Sequence, residues 1–408
     1  MSTAAPAGAR PRPRLSAVLR EEARVTPLEL FFDLVFVLAL TQCTALMAET
    51  PTWEGIGRAM VLLGSLWWAW GGYTWLTSVI DPEEGAVRVV FFAAMAAMLV
   101  AGLCVPDAFG DTALGFALAL AAVRALHLVL FRVASRDSPD MRRSVGALAV
   151  GTAIGMGLLI GGSFADPGLQ LAIWAVALVL DMGGPYVFGA GGWTLIPGHF
   201  AERYGLILIV ALGESVVAIG VGAEKGVDGG VVVAATLSVA VVAALWWLYF
   251  DVVALVAERR LARAAEGLER NAIARDSYAY LHLPMIAGIV LIALGFKKTL
   301  GDVGEPLKLV PAFALLGGTA AYLLAHVAFR LRNMGTLSVQ RLVCAVLLLA
   351  LVPVAHEVPA LAALGTVAAV LVALIAYEAL RFAEARDRVR HQLATEGLEA
   401  RARRADTA

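Results

Sequence analysis

The sequence predicts an all-helical membrane protein with about twelve transmembrane helices, arranged as two parallel six-helix repeats. Hydrophobic residues make up 60% of the 408 positions, charged residues only 16%, and the mean hydropathy is +0.80. This composition is too apolar for a soluble globule and is typical of a polytopic membrane protein. The net charge of −1, without a basic stripe interleaved with aromatics, gives no reason to expect a nucleic-acid partner.

Apolar segments with the length of a membrane-spanning helix recur along the chain. They cover about residues 28–47, 57–79, 88–105, 112–133, 143–163, 168–184, 203–222, 230–256, 278–297, 309–330, 341–356 and 360–380. With the N-terminus in the cytoplasm, the alternate loops on that side hold most of the 32 Lys and Arg residues, in agreement with the positive-inside rule. We therefore predict that both termini are cytoplasmic. Lys297, Lys298 and Lys308 form a cluster that this topology leaves unexplained.

The two ends of the chain differ from its apolar middle. Residues 1–25 carry five arginines and no periodic apolar positions, which predicts a disordered cytoplasmic tail. The arginines are also typical of the start of a signal peptide, but no small-residue cleavage site follows, and we expect an uncleaved first span. Residues 382–408 mix charges at helical spacing and predict a charged cytoplasmic tail helix.

Similar stretches of sequence indicate that the membrane region is duplicated. An acid, an aromatic residue two places on and an aliphatic run begin at Glu29 and again at Glu202. The aromatic runs Leu66–Trp70 and Leu245–Tyr249 then follow at nearly the same distance. Six spans per copy is an even number, so both copies have one orientation, as in parallel-repeat transporters. The alternative is chance similarity among apolar helices. The predicted repeats are residues 26–196 and 197–381.

Two acids at the start of the first span form one candidate site. Glu29 and Asp33 are four residues apart and share a helix face. A carboxylate in hydrocarbon costs roughly 2.5–3.5 kcal/mol on insertion scales, so such residues usually face a protected interior. Thr26 and Glu29 also match a capping box, with Pro27 at the first helical position. Glu29 is therefore either a helix cap or a site residue.

Glu214 is the strongest single candidate in the sequence. It lies near the middle of its predicted span, too deep for its short side chain to reach the membrane surface. Gly205 and Gly213 on the same helix allow a neighbouring backbone to approach closely. A carboxyl group at this depth is a candidate proton carrier. The alternative is a neutral glutamic acid that holds helices together by hydrogen bonds.

Three further polar residues have similar predicted depths. Asp33, Asp251 and His282 each lie four or five residues from the cytoplasmic end of their spans. Pro284 frees a backbone carbonyl near His282 and is expected to bend that helix. For each residue alone, a structural hydrogen bond or an interfacial position is the alternative; together we interpret them as a polar cluster.

Other polar residues and motifs carry weaker signals. Arg124 and His127 are three apart in the fourth span, where Arg124 is placed either to pair with an interior acid or to snorkel. His199 and Glu202 form neither an H-x-x-x-H nor an H-E-x-x-H arrangement, and the three cysteines lack metal-ligand spacing. The chain has no phosphate-binding G-x-x-x-x-G-K-[ST] loop and no G-x-S-x-G elbow. We therefore expect no metal and no cofactor.

Several motifs together resemble the bacterial low temperature requirement protein A family. The family's opening motif is similar to Glu29–Val37, and its central motif to His199–Gly205 with Ala211–Ser215. Trp246–Asp251 and His282–Pro284 are similar to its later signatures, and the likeness covers about residues 24 to 382. The resemblance implies a bacterial multi-pass protein of the cytoplasmic (inner) membrane, associated with growth in the cold. It implies no settled biochemical activity.

Our functional hypothesis is a secondary transporter or proton-coupled permease. Glu214 is the predicted proton or cation carrier, and Asp33, Asp251 and His282 are the predicted cytoplasmic-side relay or gate. The whole predicted pathway comprises Glu214, Asp33, Asp251, His282, Glu29, Glu202, Gln42 and Ser215.

Two alternatives to transport stay open. One is a membrane-embedded enzyme acting on a lipid or isoprenoid, with His282 and an acid as the general acid/base pair. The other is a structural or sensory membrane protein in cold adaptation. The expected partners are membrane lipids and an unidentified small molecule or ion, and the oligomeric state, including a homo-oligomer, is left open.

Overall fold

The computed structural model describes residues 24–187, 191–224 and 226–383, which fold into helices joined by short loops. The prediction of an all-helical protein is confirmed for these residues, which contain one isolated β-bridge and no longer strand. The α-helices are α1 (Pro27–Glu49), α2 (Trp53–Thr77), α3 (Gly85–Cys104), α4 (Ala113–Ala134), α5 (Pro139–Gly162), α6 (Pro167–Val187), α7 (Pro197–Gly222), α8 (Gly229–Phe250), α9 (Val253–Arg263), α10 (Leu268–Ile273), α11 (His282–Gly301), α12 (Leu309–Met334), α13 (Val339–Ala355) and α14 (Ala360–Arg381). Nearly all of both predicted tails lies outside the described residues.

Within the described residues, ten helical segments are long and apolar enough to cross a membrane. They are Pro27–Glu49, Gly85–Asp107, Ala113–Ala134, Pro139–Gly162, Pro167–Val187, Pro197–Gly222, Gly229–Arg263, Leu268–Gly301, Leu309–Met334 and Ala360–Arg381. The chain is therefore a multi-pass membrane protein. The other two predicted spans fall on α2, whose hydropathy is lowered by Trp and Gly residues, and on α13, which has 17 residues. The count of twelve spans stays a prediction.

Side-chain caps fix where several of these helices begin. Thr26 starts α1 with a complete capping box, in which the Thr26 N–H donates to Glu29 Oε2 at 2.8 Å. Thr52, Ser138 and Asp228 each accept a backbone N–H at the start of α2, α5 and α8. These contacts satisfy backbone donors that have no partner within the helix.

The helices of the two halves contact one another in a corresponding order. In the first half, α1 contacts α2 and α3, and α3, α4, α5 and α6 pack in succession. In the second half, α7 contacts α8 and α11, and α11, α12, α13 and α14 pack in succession. The second helix of each half also contacts the last one, α2 with α6 and α8 with α14. Short helices α9 and α10 have no counterpart in the first half.

The backbones of α11 and α12 approach each other very closely. A Cβ atom built on Gly288 would lie 2.6 Å from the carbonyl oxygen of Gly318, and one built on Gly318 would lie 2.8 Å from that of Gly288. Only glycine leaves room for this approach, which is a common device at helix interfaces in membranes. Both helices are mostly buried and form the centre of the second half.

A π-helical segment, Ala274–Tyr280, leads into α11. The sequence predicted a span that begins at residue 278. In the structure this part of the span is still π-helical, and α11 begins at His282. Pro284 lies in the first turn of α11 and has no N–H to donate to the carbonyl of Tyr280. The change from π- to α-helix occurs just before this proline, at Leu281.

Candidate functional site

Polar side chains pair along the interface between α1 and α7, which links the two halves. Glu29 Oε1 lies 2.8 Å from His199 Nε2, and Arg203 Nη2 donates to Asp33 Oδ1 at 2.8 Å. All four side chains are at most 1% exposed. The sequence separation is 170 residues in both pairs, so α1 and α7 run parallel and present matching faces spaced by four residues.

A third contact lies further along the same interface. The Thr41 hydroxyl donates to Glu214 Oε2 at 2.6 Å, and Glu214 is 4% exposed. Thr41 follows Asp33 by eight residues, which places it about 12 Å further along the axis of α1. We call the whole set the α1–α7 seam: Glu29, Asp33, Thr41, His199, Arg203 and Glu214.

Lys297 of α11 is near enough to act electrostatically on the Glu214 carboxylate. The backbone of Lys297 packs against α7, because a Cβ atom at Gly222 would lie 3.2 Å from its Cα. This gives one member of the unexplained basic cluster a role, since Lys297 offsets part of the charge of a buried acid.

Helix α2 packs against the α1–α7 seam and contributes further contacts to it. The Trp70 indole donates from Nε1 to Asp33 Oδ1 at 2.7 Å, and the Arg203 guanidinium lies over the Trp70 ring, 5.6 Å from its centroid. Ser78 Oγ lies 3.4 Å from His199 Nδ1. Asp33 Oδ2 and Arg203 Nη1 are buried and have no hydrogen-bond partner among the described residues. The pair therefore retains spare hydrogen-bonding capacity.

Glu29 is the helix cap that the sequence offered as one alternative, and it also contacts His199; its role as a site residue stays a prediction. Its Oε2 completes the cap with Thr26, while its Oε1 contacts His199. From the sequence, no contact with α1 was predicted for His199 or for Arg203. Within residues 24–383, outside the short undescribed gaps, no group of three or more His, Cys, Asp or Glu side chains is placed to hold a metal.

Three residues of the predicted pathway lie apart from these buried contacts. Glu202 is exposed and accepts a hydrogen bond from the backbone N–H of Val25 at 3.2 Å. Ser215 is buried and donates to the Leu212 carbonyl in its own helix. Gln42 is half-buried and makes no side-chain hydrogen bond within the described residues. Successive helix positions differ by about 100°, so the neighbour of Gln42, and not Gln42, reaches Glu214.

His282 is enclosed by aromatic side chains. Its Nε2 lies 2.8 Å from the Tyr249 hydroxyl and its Nδ1 lies 3.0 Å from the Ser277 carbonyl oxygen. The Tyr278 ring stacks on the imidazole at 5.4 Å, nearly parallel to it. Both ring nitrogens are occupied and, among the described residues, no acid pairs with His282.

Asp33 and His282 have separate partners, and aromatic rings lie between them. Tyr204 packs against His282, with ring centroids 5.1 Å apart, and against Trp70 at 5.2 Å. Trp70 in turn holds Asp33. Asp251 is half-buried where α8 ends, and its N–H donates to the carbonyl of Trp247.

Each half also contains a buried arginine paired with an acid. Arg124 of α4 donates to Asp181 of α6 at 2.9 Å, the interior pairing that the sequence offered as one alternative. Arg341 of α13, assigned from sequence to a loop, donates to Glu378 of α14 at 2.8 Å. Each pair holds the last helix of its half to a preceding one.

Comparison with known proteins connects the chain to one bacterial family. The model of that family, described as bacterial low temperature requirement A protein, matches residues 24–376. An uncharacterized protein of Rhizobium meliloti (strain 1021) is 29% identical over 313 residues, which cover 72% of this chain and 74% of the relative. No solved structure matches the chain. The family match includes both halves and every residue of the α1–α7 seam.

Proposed function

Because the chain belongs to the bacterial low temperature requirement A family, we propose that it is a secondary transporter or proton-coupled permease of the bacterial cytoplasmic membrane. The α1–α7 seam carries this proposal. It places buried ionisable groups in a column between the two halves of a membrane protein. Secondary transporters built from repeats bind substrate and coupling ion at the repeat interface, near the bilayer midplane.

The proposed architecture has twelve spans in two parallel repeats, with both termini in the cytoplasm. The parallel course of α1 and α7 supports it, because an odd number of spans must then lie between them, and α2 is needed to make five. The recurring order of helix contacts supports it as well. If the two copies are exchanged, Glu202 takes the position of Glu29. The contact of Val25 with Glu202 then corresponds closely to the contact of Glu29 with His199.

In the proposed mechanism Glu214 takes up a proton from one side of the membrane and releases it to the other. As a carboxylate, Glu214 accepts the Thr41 hydroxyl and attracts Lys297, so it ties α7 to α1 and to α11. Protonation removes the charge and weakens the attraction to Lys297. The two halves are then free to change their relative position, which is the step that alternating access requires. Asp33, with Arg203, lies on the cytoplasmic side of Glu214.

The proposed partners follow from this mechanism. Membrane lipids surround the exposed apolar helix faces, and a small molecule or ion moves with the proton. The growth in the cold that gives the family its name then reflects a transport step that becomes limiting at low temperature.

Proton flux into liposomes tests the role of Glu214. The purified full-length protein is reconstituted, a membrane potential is imposed, and internal pH is followed with a dye. We expect flux in the wild type and at least a tenfold loss in Glu214→Gln. Glu224→Gln is the matched control, because Glu224 is an exposed acid just beyond the end of the same helix and lies outside the predicted pathway. Equal flux in Glu214→Gln and wild type would remove Glu214 from the pathway.

A further inference from the structure

A cavity of about 90 Å³ lies between helices of the first half and the segment that leads into α11, and no residue of the α1–α7 seam lines it. It is bounded by α2, α4, α5, α6 and the π-helical segment before α11. Aromatic rings form most of its wall, namely Trp67, Trp68, Trp75, Phe131 and Trp193. Gly71 and Gly72 of α2 leave the space open, since neither has a side chain.

Two polar side chains in the cavity wall have unused hydrogen-bonding atoms. His127 is 1% exposed; its ring lies against the backbone of Gly72, and neither ring nitrogen makes a well-formed hydrogen bond with the described residues. Trp68 is 9% exposed, and its Nε1–H is buried without an acceptor. A buried donor or acceptor without a partner costs free energy, so a molecule that bonds to both groups is favoured in this space.

A buried histidine of the second half is held differently. His326 of α12 receives a hydrogen bond at Nδ1 from Arg341 at 3.1 Å. In the first half the buried arginine, Arg124, donates instead to Thr152 at 2.7 Å and to Asp181. His127 therefore lies at the cavity without an arginine contact of the kind that His326 has.

Both arginines in the cavity wall already have acid partners. Arg124 is paired with Asp181, and Arg275 is paired with Asp276 at 2.7 Å, an acid that also pairs with Arg332 at 3.0 Å. A cation would lie against two guanidinium groups, and an anion would compete with the acids that already hold them. A neutral ligand avoids both costs, and a space of about 90 Å³ has room for a small ring.

We propose that this cavity binds a small neutral ring compound that carries an oxygen atom. The ring packs between the tryptophan side chains, which favour flat aromatic partners. The oxygen accepts the hydrogen bond of Trp68 Nε1–H and bonds to the His127 imidazole. Binding here does not depend on proton transport, so the two proposals succeed or fail separately.

Binding of 4-fluorophenol to the full-length protein in nanodiscs, followed by ¹⁹F NMR, tests the ligand class. The matched probe is 4-fluorotoluene, in which a methyl group replaces the hydroxyl. After correction for partition into protein-free nanodiscs, we expect 4-fluorophenol to bind at least tenfold more tightly. Equal affinity for the two probes would overturn the assignment of a polar recognition site.

Two variants place the binding in this cavity. Gly184 lines the cavity and has no atom within 4 Å of a built Cβ, so Gly184→Leu has room to enter it and is expected to abolish binding. Gly183→Leu is the control, since Gly183 is equally open but does not line the cavity. Unchanged binding in Gly184→Leu would overturn the proposal.

A third variant tests the role of the imidazole. His127→Phe keeps a ring of similar shape and removes both nitrogens. We expect it to weaken 4-fluorophenol about tenfold and to leave 4-fluorotoluene unchanged. If the variant binds 4-fluorophenol as tightly as the wild type, His127 does not recognise the ligand and a water molecule satisfies the ring nitrogens.

Discussion

Thr41 of α1 and Glu214 of α7 touch across 2.6 Å, and they occupy matching positions in the duplicated sequence pattern. Their separation of 173 residues is the same as that between Glu29 and Glu202, the acids that open the two motifs. In a parallel repeat, matching positions meet only close to the axis that relates the two copies. A change of charge at Glu214 therefore acts on both halves together.

Breaking the buried pair of Asp33 and Arg203 is expected to destabilise the protein strongly. Arg203→Met should lower the free energy of unfolding by about 3–5 kcal/mol, because it leaves Asp33 buried without its counter-charge. Adding Asp33→Leu should recover a large part of that loss, since no charge is then buried alone. Thermal unfolding followed by tryptophan fluorescence measures both effects.

The control for this prediction is an exposed ion pair. Arg143 lies 3.4 Å from Asp140, and both side chains are largely exposed. Arg143→Met should leave the unfolding temperature unchanged, because surface pairs often contribute nothing measurable. If Arg203→Met and Arg143→Met unfold at the same temperature, the buried pair is not the contact that the geometry describes.

A methyl group at Gly288 should force α11 and α12 apart. The added Cβ would lie 2.6 Å from the Gly318 carbonyl oxygen and 3.0 Å from the backbone nitrogen of Tyr322, neither of which can rotate away. We expect Gly288→Ala to cost about 1–3 kcal/mol of stability, measured by thermal unfolding. Gly213→Ala in α7, where the Cβ meets no atom within 4 Å, should be neutral or slightly stabilising. A larger loss of stability in Gly213→Ala than in Gly288→Ala would contradict the close approach of α11 and α12.

Reporter fusions test the number of spans. Alkaline phosphatase is active only outside the cytoplasm. Fused after residue 227, in the loop between α7 and α8, it should be active; fused after residue 383 it should be inactive. A green fluorescent protein at residue 383 should fluoresce. Activity of the phosphatase at residue 383 would place that end outside the cytoplasm and would exclude twelve spans with both termini in the cytoplasm.

The membrane class and the helix positions could be read from the sequence because a bilayer requires long apolar segments. The partners of the acids could not. The motif alignment set Glu29 against Glu202, yet the α7 residues that contact Glu29 and Asp33 are His199 and Arg203. Which faces of two helices meet depends on their rotation and relative shift, and neither is specified by hydropathy. One sequence signal for these contacts was available: Glu29 and Asp33 have the same spacing as His199 and Arg203.

Trp70 and Tyr249 also make contacts that the sequence alone does not specify. The sequence placed them at the ends of two matching aromatic runs, and each of these side chains also makes a hydrogen bond, Trp70 to Asp33 and Tyr249 to His282. Depth in the membrane follows from the position of a residue in its span, so similar depths could be predicted for Asp33 and His282. Contact between side chains requires the neighbouring helix to be known.

The pairing of Asp33 with Arg203 also sets an order of events during synthesis. Arg203 follows Asp33 by 170 residues, and ribosomes add roughly 5–20 residues per second, so the partner arrives roughly 10–30 seconds later. During that time the first helix has left the ribosome with its acids uncompensated. Its final placement has to wait for α7, and the insertion machinery or the membrane surface holds it until then.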